Sequence, residues 1–329
     1  MRGDCVLDGK AASQGMAGLQ PEAFEPVLLA LIEPWLVSGG VMPVLACGMV
    51  GARRGWIEAP YAQTPCAALD PGRAVRAPVR DPRLAVWVLP GLSQIDPADV
   101  MRGEETQIAG LLTREPDFDG TVCLPGTHSK WVRLKDGRVL AFRTMMTGEL
   151  FGLLSRQSVL RLSTTPNDAA DWDEAGFDDG VREGLSAPGA GLAGLFSIRA
   201  RGLMQSESQA SAKARLSGLL IGSEVAAMEP HWNGQDLVIV GAPELVALYQ
   251  RALVHAGAKV RMVAADDLVL LGLSSARAAM KNEPGAPPGQ KPPSALATAA
   301  TLATQGPERG ATTVRFDPAK GDTDACNSR

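Results

Sequence analysis

Apolar residues recur along this chain at two different periods. Over residues 21–37, Phe24, Val27, Leu28, Leu31, Ile32 and Trp35 fall near one face of a helix, and Gly39-Gly40 stop it. Short apolar runs at 43–47 and 84–89 read as buried strands, the second ending in Pro90-Gly91. A polar helix is expected over about 99–113. Three β segments follow at 121–124, 131–134 and 138–143, and Asp136-Gly137 gives the last two a hairpin turn. Beyond Thr147 the pattern is mostly helical, with glycine-rich joints around 184–194 and a long, largely buried helix over 211–228. Strand 237–240, helix 243–255, strand 260–263 and helix 265–279 then alternate, so the two strands should lie parallel in one sheet. From about Lys281 prolines interrupt Ala, Thr and Gly without apolar periodicity, which reads as a disordered tail over 281–329.

Composition narrows what these elements can do. The 329 residues suffice for two domains, and 45% of them are apolar. No run of about 18 apolar residues suggests a membrane span, and the N-terminus lacks the apolar stretch of a secretory signal. With 32 Lys+Arg against 36 Asp+Glu there is no general basic footprint, so neither nucleic acid nor an anionic membrane is an expected partner. Five scattered cysteines without a CxxC pair fit reduced thiols and a cytoplasmic location. Only three histidines occur, none at ligand spacing from another His or a Cys, so zinc is not expected.

Four polar or glycine-rich segments fall where strands end or turn, the usual place for ligands in α/β proteins. The first, Gly48 to Trp56, sets Arg53 and Arg54 between glycines; it is either a solvated loop or a binding site for carboxylate or phosphate. In the second, Met101 to Gln107, Glu104 and Glu105 open the polar helix. They either complement its dipole or supply a general base, the neighbouring carboxylate holding a cation or a sugar hydroxyl. The third, Leu124 to Trp131, gathers Gly126, Thr127, His128, Ser129 and Lys130 into a turn suited to cradling phosphate. In the fourth, Arg143 to Leu150, Arg143 ends a strand and is expected to point at the same mouth, while Thr147 and Glu149 could simply cap the next helix. Walker A, GxGxxG and GxSxG motifs are all absent.

These segments resemble the 2-dehydro-3-deoxygalactonokinases, sugar-acid kinases of the actin/hexokinase/Hsp70-like ATPase superfamily. The resemblance rests on GMVGARRGWIEAPYAQT, LPGL with MRGEETQ, LPGTHSKWV and FRTMMTGELF, and continues through LSGLLIGSEVAAM to about Ala279. It implies an α/β, two-domain actin/hexokinase-like (ribonuclease H-like) fold with mixed sheets and flanking helices. On this reading residues 1–120 bind the sugar acid, 121–280 bind ATP and 281–329 are the tail. The reaction implied is transfer of the ATP γ-phosphoryl group, with Mg²⁺ on the phosphates, to the terminal hydroxyl of 2-dehydro-3-deoxy-D-galactonate in galactose or galactonate breakdown.

Roles follow from the resemblance. Residues 125–130 would be the second phosphate hairpin, with Lys130 stabilising the transferring group. Gly241 and Ala242 resemble the adenosine-binding turn, and Gly272 lies in what resembles the hinge helix. Glu105 is the first choice of base, since its spacing from Gly103 resembles the Gly-x-Asp of hexose kinases, and Glu104 is the second. Arg53, Arg54, Arg102 and Arg143 are candidates for the substrate, its carboxylate above all; metal ligands are not assigned. Family members open with a strand, an Asp-Trp-Gly-Thr turn and a second strand, and this chain begins past that motif. The expectation is therefore either a start upstream or a chain with impaired ATP binding, the latter extending to a non-catalytic sugar-acid-binding or regulatory relative. Without those strands, a sheet edge is left open. Oligomeric state stays open, a homo-oligomer included.

Overall fold

The computed structural model describes residues 6–12, 19–165, 172–187, 189–282 and 298–301. In chain order these form α1 (Phe24–Ile32), β1 (Met42–Cys47), β2 (Tyr61–Gln63), β3 (Cys66–Ala67), β4 (Val75–Arg76), β5 (Leu84–Val88), β6 (Gly91–Gln94), β7 (Asp99–Met101) and α2 (Glu104–Arg114). Next come β8 (Gly120–Leu124), β9 (Ser129–Lys135), β10 (Arg138–Met145), α3 (Thr147–Arg156), α4 (Arg161–Thr164), α5 (Glu174–Ser186), α6 (Ala190–Met204), α7 (Gln209–Ala227) and α8 (Glu229–Trp232). The chain continues with β11 (Asp236–Gly241), α9 (Pro243–His255), β12 (Arg261–Ala264), α10 (Ala265–Asn282) and β13 (Thr298–Thr301). The mixed α/β expectation holds. The start expected for the polar helix does not: residues 99–101 pair with β6 as β7, and the helix begins only at Glu104.

Two compact units divide the chain, Met1–Asp117 with Asp266–Arg329, and Phe118–Ala265. In the first, β5 lies beside β1 in parallel and β4 runs antiparallel to β5. Strand alternation explains the layering. Val44 and Ala46 of β1 pack with Phe24, Leu28 and Ile32 of α1, while Leu45 and Cys47 pack with Val269, Leu273 and Ala276 of α10. Helix α10 therefore belongs with the N-terminal segment, unlike the 1–120 and 121–280 division. Glycine makes that packing close: a Cβ on Gly110 of α2 would stand 1.9 Å from the Leu268 carbonyl, and one on Gly272 would stand 2.0 Å from the Thr106 carbonyl.

The tail expectation also needs correction. Lys281 and Asn282 finish α10, and β13 pairs in parallel with β1, Val44 opposite Thr298. An open strand edge is a template for such pairing, and Thr298-Ala-Ala-Thr carries no proline to prevent it. The other tail residues lie outside the described part.

In the second unit the strands run in the order β12-β11-β8-β9-β10. β8, β11 and β12 are parallel, as the sequence alternation requires, and the β8-β9-β10 meander is antiparallel. Asp136 and Gly137 turn the β9-β10 hairpin with φ of 51° and 69°. The glycines expected to form joints instead lie mostly inside helices. Gly180 and Gly184 of α5 face Gly218 and Gly222 of α7, where any Cβ would meet the opposite backbone at 2.2, 2.5, 2.0 and 2.5 Å respectively. A joint and a close helix crossing call for the same small residue, so composition alone could not separate them.

Candidate active site

In the first unit, two loops meet through glycines. β1 ends at Gly48, whose φ is 85°, and α2 is preceded by Gly103 at 115°, values that L side chains rarely adopt. A Cβ on Gly103 would lie 3.4 Å from the Gly48 Cα. Beyond Gly48 the loop is pinned by Trp56, which stacks on Phe24 at 6.0 Å and donates to the Pro78 carbonyl at 3.1 Å. Arg53 and Arg54 stand exposed between these anchors. Arg53 approaches Glu58 only to 4.0 Å, a contact that screening leaves with little energy.

Arg102 is held quite differently. It is 9% exposed, its guanidinium lies over the Tyr61 ring at 4.2 Å, and Nη2 donates to the Ala59 carbonyl at 2.8 Å. Its Nε and Nη1 are buried and have no hydrogen-bond partner among the described residues. Gly51 makes room for it, since a Cβ there would come within 2.8 Å of Nη1. Two unpaired charged donors in a buried position carry a desolvation cost, and an anionic group from a ligand would offset it.

The two glutamates also separate. Glu105 is completely enclosed; its Oε2 accepts from the Gly103 amide at 2.6 Å and its Oε1 from the Thr106 hydroxyl at 3.4 Å. Burial first, then the neighbouring charge of Glu104, pushes its pKa up to about 8. Glu104 is only half-buried, and its Oε2 accepts from the Arg102 amide at 3.1 Å. The sequence put Glu105 first as base. The enclosure of its carboxyl favours Glu104, because a base must reach the proton it removes.

In the second unit, the turn after β8 and the end of β11 lie together at the carboxyl end of the sheet, as the ends of adjacent parallel strands must. A Cβ on Gly241 would be 3.6 Å from the Pro125 carbonyl, so Gly241 and Ala242 adjoin the 125–130 turn. Helix α3 packs against that turn: the Glu149 amide donates to the Thr127 carbonyl at 2.9 Å, and a Cβ on Gly148 would be 2.3 Å from the Gly126 carbonyl. His128 pairs with Glu149, both partly exposed. Lys130 is buried, with Nζ 3.3 Å from the His128 carbonyl.

Two expectations do not survive this geometry. Arg143 stands opposite Trp131 in the ladder, one position out of step with Lys130, so it takes the other face of the sheet. There its charge, after burial, helps depress the pKa of His231. Thr147 is the first residue of α3 rather than its cap, and its hydroxyl bonds Glu224. Gly272 lies inside α10, as expected, and faces the Thr106 backbone at the crossing with α2.

Sequence reasoning missed Glu224. It is 1% exposed and accepts from Trp131 Nε1 and from the Tyr249 hydroxyl, both at 2.8 Å. Ser129 Oγ lies 2.7 Å from the Tyr249 hydroxyl. Burial is the largest influence on Glu224 and raises its pKa against the pull of these donors. The available signal was one acid inside the apolar run LSGLLIGSEVAAM.

Among the described residues no group of three or more His, Cys, Asp or Glu is placed to hold a metal, and no helix is long and apolar enough to cross a membrane. The family model for 2-keto-3-deoxy-galactonokinase matches residues 1–276. The chain is 40% identical over 282 residues to a protein of Rhizobium meliloti (strain 1021) named as a 2-dehydro-3-deoxygalactonokinase, covering 84% of this chain and 90% of that one. It is 34% identical over 285 residues to the 2-dehydro-3-deoxygalactonokinase of Escherichia coli (strain K12), covering 85% and 93%. A solved Sinorhizobium meliloti structure described under the same enzyme name superposes with a TM-score of 0.77 at 38% identity, over 85% of this chain and 93% of that one. With this coverage and identity, the chain belongs to the 2-keto-3-deoxygalactonokinase family of sugar-acid kinases.

Proposed function

We propose that this kinase transfers the γ-phosphoryl group of ATP to the 6-hydroxyl of 2-dehydro-3-deoxy-D-galactonate, as a cytoplasmic step of galactonate breakdown. The observation that carries this reading is the convergence of Arg102, with two buried and unpaired donors, on a helix start bearing the half-buried carboxylate of Glu104. A sugar acid needs both a cation for its carboxylate and a base for its hydroxyl. The names of the relatives support the same substrate, and Cys47, Cys66 and Cys123 form no disulfide, which suits a reducing compartment.

In this mechanism Arg102 takes the substrate carboxylate, Arg53 and Arg54 add positive charge at the exposed loop, and Glu104 accepts the hydroxyl proton as the oxygen attacks the γ-phosphorus. Glu105 keeps its own proton near neutral pH, which leaves one negative charge at the helix start instead of two. Lys130 and the backbone amides of Gly126, Thr127, His128 and Ser129 stabilise the charge on the transferring group, and Gly241 with Ala242 receive the adenosine side. When bound on the ATP phosphates, Mg²⁺ neutralises part of their charge. The test is ADP release with 2-dehydro-3-deoxygalactonate, compared with an uncharged sugar of equal length. Turnover is expected with the acid and little without the carboxylate; no turnover with the acid would overturn the reading.

A further inference from the structure

Glu224 lies outside the groups assigned to the reaction, yet it ties together the elements from which the phosphate turn is built. Its carboxylate joins β9 through Trp131, α9 through Tyr249 and the first turn of α3 through Thr147. Ser129, the residue at which the turn re-enters β9, is fastened to the same cluster through the Tyr249 hydroxyl at 2.7 Å. Every member is buried: Ser129 is 0% exposed, Trp131, Glu224 and Tyr249 are 1%, and Thr147 is 7%.

Each partner has a counterpart at the turn itself. Trp131 and Ser129 flank Lys130 in the strand, Thr147 is followed by Gly148 and Glu149, which pack on Gly126 and Thr127, and α9 begins directly after Gly241 and Ala242. A buried carboxylate is costly, and replacing such polar clusters with apolar packing often gains stability. A cluster that fixes the geometry of three ligand-facing segments has a different use. Its donors permit one arrangement: Trp131 can only donate, and each carboxylate oxygen is taken by a different element.

We infer that Glu224 is a positioning residue for nucleotide binding, holding residues 125–130 and the start of α3 in the shape that receives the ATP phosphates. This rests on the reading of that turn as the phosphate hairpin. Its assay is ATP binding rather than phosphoryl transfer, so it stands or falls separately from the proposed substrate. Glu224→Gln keeps the volume but turns an amide N–H₂ toward one of the donors, and Tyr249→Phe removes one donor to Glu224 and the hydroxyl bonded to Ser129 while leaving Glu224 and its own bond to Ser129 in place.

The measurement is titration calorimetry of MgATP and, separately, of 2-dehydro-3-deoxygalactonate on the full chain, with circular dichroism to confirm folding. The dissociation constant for MgATP is expected to rise about tenfold in Glu224→Gln and about threefold in Tyr249→Phe, with that for the sugar acid unchanged. Unchanged MgATP affinity in a folded variant would overturn the inference, as would equal weakening for both ligands, the mark of general loosening. Should Glu224→Gln fail to fold, Tyr249→Phe and Ser129→Ala decide by the same criteria. Absence of turnover in the wild-type chain, with MgATP affinity still falling as stated, would sink the sugar-acid substrate and leave this inference standing.

Discussion

Glu105 and Glu224 are both enclosed carboxyl groups, and burial is the first cause of a raised pKa in each, but their surroundings differ. Glu105 takes its hydrogen bonds from its own helix start, the Gly103 amide and the Thr106 hydroxyl, with a second carboxylate adjacent. Glu224 draws its donors from three other elements. Local donors and a like charge leave a group whose proton is set by burial, which suits a site where charge must be controlled. Donors gathered from distant segments make a tie, which suits a scaffold. Enclosure alone therefore says little about the role of an acid; the origin of its partners says more.

The largest expected effect that separates the two is on stability. Glu224→Ala strands the buried Trp131 N–H, removes one partner of the Tyr249 hydroxyl and leaves a cavity, and should cost about 3 kcal/mol or more, read as a lower urea midpoint with the slope unchanged. A loss no greater than that of an exposed Glu→Ala control would show that the tie is not made. Of comparable size is a pH effect at Glu105. Below its ordinary value of 4.5 the carboxyl is protonated in both folded and unfolded chains, and above about 8 it is ionised in both. Between these limits only the unfolded chain releases the proton, so stability should fall by about 1.4 kcal/mol per pH unit. Glu105→Gln removes that slope. Urea midpoints of the two proteins at pH 5, 6, 7 and 8 should diverge in favour of the variant as pH rises; parallel curves would contradict the burial argument. The smallest effect is that of Thr147→Val, which deletes one of the donors to Glu224 and should cost about 1 kcal/mol, checked by the same midpoints.

Much of this molecule was legible in its sequence, because the signals were local. The β9-β10 turn followed from Asp136-Gly137, and the parallel β11 and β12 followed from the alternation around Pro243 to His255. The start of α2 was not, since residues 99–101 are a strand only by pairing with β6. Nor was the use of Gly180, Gly184, Gly218 and Gly222, which depends on one helix meeting another. At the site, residue types pointed to charged loops but could not say which side chains are enclosed. Arg102 and Arg54 are both arginines beside glycines, yet one is buried on Tyr61 and the other exposed. Arg143 was misplaced by one step of strand alternation.

The central claim is that the half-buried carboxylate of Glu104, not the enclosed one of Glu105, removes the hydroxyl proton. Its most direct test is kcat for phosphorylation of 2-dehydro-3-deoxygalactonate at saturating MgATP, measured side by side for the wild type, Glu104→Gln and Glu105→Gln. Loss of a general base lowers turnover about 10²–10⁴-fold, and the account predicts that loss in Glu104→Gln, with KM little changed and a far smaller decrease in Glu105→Gln. Near-normal turnover in Glu104→Gln together with its loss in Glu105→Gln would contradict it.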